Sequence, residues 1–112
     1  MPVAVCDRDA VIACAGVSKK DYLDKKNSAG VERIIEGRTL YVCDDGAEKT
    51  SVTDDDKTHY VYCAQPIFAE GDVIGCVASL AAADTKKDTR DAQTETKLIQ
   101  TAASFLGRQL EM

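Results

Sequence analysis

The stretch HYVYCAQPIFAEGDVIGCVASLA, residues 59–81, decides the fold of this chain. Two runs of mostly apolar residues, 59–69 and 73–81, flank the short turn Glu70-Gly71-Asp72. Apolar runs on either side of a glycine-containing turn are typical of a β-hairpin. This is the strongest hairpin signal in the sequence.

The N-terminal residues predict a second hairpin followed by a short helix. Two apolar runs, 3–6 and 10–15, enclose the polar turn Asp7-Arg8-Asp9 and predict two strands. After Gly16 we expect a helix from Lys19 to Lys26, with Ser18 as its cap and with Tyr22 and Leu23 buried.

A second helix and a third strand precede the central hairpin. The helix is predicted to begin at Asn27 or Ser28 and to end at Gly37, because Val31, Ile34 and Ile35 share one apolar face. Residues 39–43 predict a strand. Residues 44–58 are rich in aspartate and predict a solvated loop, but their spacing does not match a calcium-binding loop.

The last helix, predicted over 91–111, carries two apolar rows. One row holds Leu98, Ala102 and Phe105, and we expect it to pack on the sheet. The other row is predicted to form the interface of a homodimer, because a helix on one sheet buries only one such row fully. The predicted interface residues are Ile99, Ala103, Leu106 and Leu110.

The predicted element order is β-β-α-α-β-β-β-α, which contains no repeated strand–helix–strand unit. A doubly wound parallel sheet is therefore disfavoured. We expect an α+β domain with a central five-stranded antiparallel sheet and helices on both faces, as in the GAF, PAS and profilin-like sensory domains.

Length and charge restrict the function classes. The 112 residues are enough for one domain, and 45% are hydrophobic, as in an ordinary globular core. The formal net charge of −5 argues against direct binding of nucleic acid, which needs a basic face. The sequence contains neither an apolar run long enough to span a membrane nor a secretory signal, and we expect no membrane partner.

The cysteines predict buried, reduced thiols in a cytoplasmic protein. They are five in number, lie in apolar runs and form no C-x-x-C pair, so neither a zinc site nor another cofactor is expected. A hairpin turn at Glu70-Gly71 places Cys76 opposite Gln65 and Cys63 opposite Ala78. With no cysteines opposed in this hairpin or in the first one, no disulfide is predicted.

Several segments together resemble the C-terminal domain of the stage V sporulation protein T family. They are Cys6-Asp7-Arg8-Asp9 with Val11-Ile12-Ala13, Gly16 to Leu23, Pro66-Ile67 through Gly71 to Gly75, and Thr101 to Glu111. The resemblance covers nearly all of the chain and is weakest over 40–58.

The resemblance implies a GAF domain of a sporulation transcription regulator. Such a domain senses an unidentified small molecule and takes part in oligomerisation. In that family a separate N-terminal domain binds DNA, and this chain lacks it. We therefore interpret residues 1–112 as a single sensory domain, a C-terminal fragment or truncated homologue, that reaches DNA only through a domain outside this chain.

Seven residues are candidates for binding the effector: Ser18, Lys19, Lys20, Tyr22, Arg33, Tyr60 and Tyr62. The first three open a helix, where unpaired N–H groups and lysines attract an anion. Arg33 would pair with an anionic ligand, and the three tyrosines would line a pocket. The alternatives are a solvated helix start, an Arg33 paired with Glu32 or Glu36, and tyrosines that only fill the core.

Two other functions stay open. A thiol-dependent methionine sulfoxide reductase, as some GAF domains are, would need two cooperating cysteines. His59 and Cys63 would lie ~13 Å apart along one strand, too far for proton transfer, whereas His59 and Cys43 on a neighbouring strand stay possible. A purely structural oligomerisation domain is the second alternative. Neither is preferred, and no catalytic residue is predicted.

Overall fold

The computed structural model describes residues 2–43, 49–83 and 92–109. Along the chain the elements follow the order β-β-α-α-β-β-β-α. Their bounds are β1 Val3–Asp7, β2 Val11–Ala15, α1 Lys19–Tyr22, α2 Ala29–Gly37, β3 Tyr41–Val42, β4 His59–Ala69, β5 Asp72–Ala82 and α3 Ala92–Gln109.

The five strands form one antiparallel sheet in the order β2-β1-β5-β4-β3. One helical layer, α1 and α2, packs on one face with the apolar cluster that contains Val31, Ile35 and Leu80. The other layer, α3, packs on the opposite face with the cluster that contains Ile99 and Ala103. The predicted α+β class and the five-stranded antiparallel sheet are confirmed.

The central hairpin β4–β5 forms as predicted, but two irregularities shift its register. Glu70 and Gly71 have φ angles of 53° and 85°, the left-handed pair that a two-residue hairpin turn requires. The register changes between Ile67 and Phe68, so Cys76 lies opposite Pro66, one residue beyond the predicted Gln65. Cys63 lies opposite Ser79 for the same reason. A register predicted from the position of the turn alone does not account for an extra residue within a strand.

The second irregularity in β4, between Val61 and Cys63, changes which residues share a face. Strict alternation predicts that Cys63 lies on the face of Val61. Instead, Val61 belongs to the α2-side cluster, and Cys63 joins Tyr60 and Tyr62 in the α3-side cluster. A bulge reverses the alternation beyond it.

The first hairpin, β1–β2, confirms the prediction for residues 3–15. Oδ1 of Asp7 accepts hydrogen bonds from the backbone N–H groups of Asp9 and Ala10, both at 2.7 Å, and so closes the turn. Cys14 lies opposite Ala4, whereas Cys6 lies opposite Cys76 on β5.

Helix α1 is shorter than predicted and ends at Tyr22 instead of Lys26. Leu23 is extended and exposed, and Asp24 adopts a left-handed φ of 66°. The following residues leave the helix to pair with β2: the N–H of Asp24 donates to Val11 O, and the N–H of Val11 donates to Lys25 O. Pairing with a sheet edge replaces about one further turn of helix.

Helix α2 begins and ends as its sequence pattern indicates. The hydroxyl of Ser28 caps it by accepting from the N–H of Val31 at 3.1 Å. Val31, Ile34 and Ile35 are buried, as predicted. The left-handed residue that ends the helix is Arg38, with φ 60°, one position after the predicted Gly37.

The segment 49–58 is not the solvated loop that its charges suggest. Val52 and Thr53 are 0% and 3% exposed. The segment is tied to α2 because Ser28 donates its N–H to Val52 O and its hydroxyl to Ser51 O. It is tied to β4 because the N–H of Val61 donates to Thr50 O at 2.7 Å. The other part of the predicted loop, 44–48, lies outside the described residues.

Helix α3 packs on the sheet with the row opposite to the predicted one. Ile99 and Ala103 are buried, and Leu106 packs against the same cluster. Leu98 and Phe105, which were expected on the sheet, are 54% and 60% exposed. The row of Leu98 and the row of Ile99 are offset by one residue, or about 100° around the helix. Both rows are apolar, so their composition does not determine which one packs on the sheet. Leu110, the fourth predicted interface residue, lies outside the described residues.

Gly107 explains why α3 packs in this orientation. A Cβ atom added there would lie 2.2 Å from the backbone oxygen of Phe68, so only glycine allows the helix to approach β4 this closely. Among the described helices, none has the length and apolar character needed to cross a membrane.

Candidate functional site

The structure separates the seven candidate residues instead of bringing them together. Tyr22 is buried in the α2-side cluster, whereas Tyr60 and Tyr62 are buried in the α3-side cluster. The sheet lies between them. Arg33 is exposed on α2 and lines two clefts.

The helix start at Ser18, Lys19 and Lys20 is exposed. Its helix, α1, has four residues, and the side chain of Ser18 makes no capping hydrogen bond. The predicted cap is therefore absent. So short a helix also aligns few peptide dipoles, which leaves little attraction for an anion.

The two clefts beside α2 meet at Gly30, Arg33 and Thr50. One, of about 310 Å³, extends along Ile34, Gly37, Thr39, Leu40 and Tyr41 and is largely apolar. The other, of about 240 Å³, extends along the start of α2 and the segment 49–54 and is polar. Together they form a groove with one apolar end and one polar end.

Close packing sets the floor of this groove. A Cβ on Gly30 would lie 2.4 Å from Cγ2 of Thr50, so the segment and the helix touch at a glycine. The hydrogen bonds of Ser28 to Val52 and Ser51 hold the same contact in place. The wall opposite α2 is therefore fixed and not a loose loop.

A second polar cluster joins α1 to the start of β4. The hydroxyl of Tyr22 donates to Oδ2 of Asp56, and Oγ1 of Thr58 donates to Oδ1 of the same carboxylate at 2.7 Å. Nδ1 of His59 lies 3.2 Å from the Tyr22 hydroxyl and 2.9 Å from Oγ1 of Thr58.

These contacts shift two pKa values. Burial and the hydrogen bond to Asp56 raise the pKa of Tyr22 above its ordinary range. Burial also acts to raise the pKa of Asp56, but the hydrogen bonds donated by Tyr22 and Thr58 outweigh it and hold that pKa below its ordinary value.

Counting hydrogens assigns the proton on His59. Tyr22 and Thr58 each have one hydroxyl hydrogen, and both are donated to Asp56. Nδ1 of His59 must then be the donor in its contacts with the two hydroxyl oxygens. The network joins α1 to the start of β4 and acts as a structural tie.

No cysteine shares this cluster. Cys43 and Cys63 belong to the α3-side cluster. His59 contacts Tyr22, which lies in the cluster on the other face of the sheet. The pairing of His59 with Cys43, left open by the sequence, is therefore not made.

All five cysteines are unbridged thiols, and four of them are buried. Cys6 and Cys76 face each other across β1 and β5. The hydrogen bond between their side chains, together with burial, raises the pKa of Cys6 far above its ordinary range. Within the described ranges, no three His, Cys, Asp or Glu side chains are grouped to hold a metal ion.

Tyr60 and Tyr62 are 4% and 1% exposed. The ammonium group of Lys49 lies 4.5 Å from the centre of the Tyr60 ring and 3.5 Å from Ala83 O. Lys49 thus covers Tyr60 and also lines the polar cleft beside α2.

A third cleft, of about 420 Å³, lies where α3 crosses β4 and is lined by Gln65, Phe68, Gln100 and Arg108 among others. Nε2 of Gln100 lies 3.5 Å from Oε1 of Gln65, at the limit of hydrogen bonding. The guanidinium of Arg38 lies 5.4 Å from the centre of the Phe68 ring, at the edge of this region.

The sequence reasoning missed Thr50 and Asp54, which line the groove with Arg33. It placed both in a solvated loop because of the surrounding aspartates. Val52, an isolated apolar residue in this polar stretch, was the signal that the segment returns to the core.

The fold and these clefts define a small α+β domain with a groove between a helix and an edge of the sheet, and with no cysteine–histidine pair among the described residues. The family model described as "Stage V sporulation protein T C-terminal, transcription factor" matches residues 1–111. The chain belongs to this family.

A curated relative agrees with the family match. Stage V sporulation protein T of Bacillus subtilis (strain 168) is 39% identical over 109 residues, which are 97% of this chain. The chain spans 58% of the length of that relative.

Proposed function

We propose that this chain is the non-enzymatic, GAF-like regulatory domain of a sporulation transcription regulator. In this proposal it binds a small-molecule effector and associates with a second copy through α3, while a separate domain contacts DNA. Family membership and the name of the relative support the regulatory role. The net charge of −5 supports a separate DNA-binding element.

The observation that carries the effector site is the groove at Arg33. Ligand pockets are typically concave, mostly apolar and equipped with a few polar groups. The two clefts combine an apolar end at Ile34, Leu40 and Tyr41 with polar groups at the other end. Of the seven candidate residues, Arg33 is the one we retain as a ligand contact.

A thermal-shift screen of small metabolites tests the effector site. Thr39 is exposed and lines the apolar cleft, so Thr39→Trp would fill that cleft from the outside. We expect at least one metabolite to raise the melting temperature of the wild type and to lose this effect in Thr39→Trp. Lys97→Trp is the control, because it adds the same side chain at an exposed position of α3, away from this cleft. A panel without any stabilising compound, or hits that persist in Thr39→Trp, would refute this site.

Self-association is proposed through the exposed row of α3. Leu98 and Phe105 are one heptad apart, with Thr101 between them at the position that completes a coiled-coil seam. Both large side chains face solvent, although burying each would contribute roughly 1.5–3 kcal/mol. This row replaces Ile99 and Ala103, which the sheet already buries.

Sedimentation measures this association directly. We expect a dimer for the wild type at ~100 μM and a monomer for Phe105→Glu, because a buried unpaired carboxylate would oppose contact. Gln93→Glu adds the same charge to an exposed position about 120° around the helix and should leave the dimer intact. A monomeric wild type, or a dimer unaffected by Phe105→Glu, would overturn the proposed interface.

A further inference from the structure

The groove beside α2 contains two opposite charges that have no partner in the part of the chain that the structure describes. Arg33 lines both clefts, and Asp54 lines the polar one. Both side chains are exposed, and within residues 2–43, 49–83 and 92–109 neither forms a hydrogen bond or an ion pair, even with the other. Besides Lys49, the polar end of the groove therefore presents one positive and one negative group that have no partner among the described residues.

A simple anion or cation does not match this arrangement. A carboxylate would be attracted by Arg33 but repelled by Asp54, and an amine would meet the reverse. Lys49 also lines the polar cleft, but its ammonium group is already engaged by the Tyr60 ring and by Ala83 O. A ligand with both charges, close together, satisfies both side chains.

The apolar cleft adds the third element of recognition. It continues from Arg33 past Ile34, Leu40 and Tyr41, and its volume of about 310 Å³ accommodates a side chain of moderate size. A zwitterionic head at Arg33 and Asp54 would thus project an apolar group along α2.

We propose that the groove binds a free amino acid with an apolar side chain. Its carboxylate pairs with Arg33, its ammonium group pairs with Asp54, and its side chain lies against Leu40 and Tyr41. This inference deepens the proposed effector site and rests on it.

Three probes that differ by one charged group test the pairing. Isothermal titration calorimetry compares L-phenylalanine with 3-phenylpropionate, which lacks the ammonium group, and with 2-phenylethylamine, which lacks the carboxylate. We expect L-phenylalanine to bind at least about tenfold more tightly than either, a difference of about 1.4 kcal/mol. L-leucine serves as the aliphatic probe.

Charge-removing variants assign each contact. Arg33→Gln should weaken L-phenylalanine and 3-phenylpropionate but leave 2-phenylethylamine unchanged. Asp54→Asn should weaken L-phenylalanine and 2-phenylethylamine but leave 3-phenylpropionate unchanged. Arg8→Gln and Asp55→Asn, at exposed positions that line neither cleft, are the controls, and all four sites are exposed enough to preserve the fold.

Two results would overturn this inference: binding of a singly charged probe as tightly as L-phenylalanine, or no binding of either amino acid. The effector site itself would still stand if another metabolite stabilised the wild type but not Thr39→Trp. If no metabolite did so, the effector site would fail together with the inference.

Discussion

The two faces of the sheet are covered in different ways. On one face, α3 lies directly on the strands, with Ile99 and Ala103 buried and Gly107 against the backbone of Phe68. On the other face, α2 meets the segment 49–54 along a seam of hydrogen bonds made by Ser28. The α3 face has one cleft, of about 420 Å³, where the helix crosses β4, whereas the polar seam at α2 borders the two clefts that meet at Arg33. The proposed ligand site uses the groove on the α2 face, and the proposed self-association uses the outer side of α3.

Close packing under α3 predicts the largest effect on stability. Gly107→Ala places a methyl group 2.2 Å from the Phe68 oxygen, so either the helix or the strand must shift. We expect a loss of about 2 kcal/mol or more in the free energy of unfolding, measured by urea denaturation.

Gly37→Ala is the matched control, because its new methyl group would meet nothing closer than the Thr39 hydroxyl at 4.0 Å. It should change stability by less than about 1 kcal/mol. Equal effects of the two substitutions would mean that α3 does not depend on a close approach to β4, and the contrast between the faces would weaken.

The second test concerns the segment 49–58. This segment is part of the core on the α2 face only if the burial of Val52 stabilises the fold. Val52→Ala removes two buried methyl groups and should lower the free energy of unfolding by about 1–3 kcal/mol. Ile12→Ala, at a residue that is 52% exposed on the edge strand β2, should cost less than about 0.5 kcal/mol. If Val52→Ala left the free energy of unfolding unchanged, the segment would instead be the solvated loop that the sequence predicts.

Local pattern was sufficient to predict the sheet and the helices but not their exact contacts. The hairpin at Glu70-Gly71 and the face of Val31 and Ile35 depend on residues close in sequence, and both were predicted. The bulges in the β4–β5 hairpin, the shortened α1 and the inverted row of α3 depend on partners far along the chain. For α3, the decisive contact is between Gly107 and Phe68, which no periodicity of the helix itself contains.

The same reasoning explains the mixed outcome for the site. Arg33 was found because it is a cation on the second helix that could pair with an anionic ligand. Asp54 was missed because its neighbour in the groove, Arg33, is 21 positions away, and its own surroundings are acidic. The placement of both residues in one cleft is a tertiary property, so the combination of charges appears only when the segment is folded against α2.

The hydrogen bonds around Asp56 give the third test and concern acid stability. Because Tyr22 and Thr58 hold the pKa of Asp56 below its ordinary value, the unfolded chain binds the proton more readily than the folded one. The stability that ionised Asp56 contributes is fully present at neutral pH. It is lost as the pH drops below about 4 toward the lower pKa that Asp56 has in the folded protein.

Asp56→Asn should therefore flatten this part of the acid dependence in urea denaturation between pH 3 and pH 7. Asp55→Asn removes an exposed neighbouring carboxylate and should retain the wild-type slope. An unchanged slope in Asp56→Asn would mean that the tie between α1 and β4 contributes nothing to acid stability.

The thiols give the last test, with the smallest effect on stability but the clearest bearing on function. Cys14 is half-buried on the edge strand β2, whereas Cys6, Cys43, Cys63 and Cys76 are buried. With 5,5′-dithiobis(2-nitrobenzoate) on the native protein, we expect one fast thiol and four slow ones, since only accessible thiolates react quickly. Cys14→Ser should remove the fast phase, and Cys43→Ser should leave it.

One fast thiol is insufficient for reducing a sulfoxide, because that chemistry needs a second thiol to resolve the first as a disulfide. Cys14 faces Ala4 across the hairpin, so no cysteine is opposite it in the sheet. Cys6, which faces Cys76 across the sheet, has a pKa raised by the hydrogen bond between the two side chains and by burial, so Cys6 is held protonated. If instead Cys6 or Cys76 reacted as fast as Cys14, the α2-side core would be open to solvent. The thiol-dependent enzyme would then replace the effector-binding domain as the better account of this face.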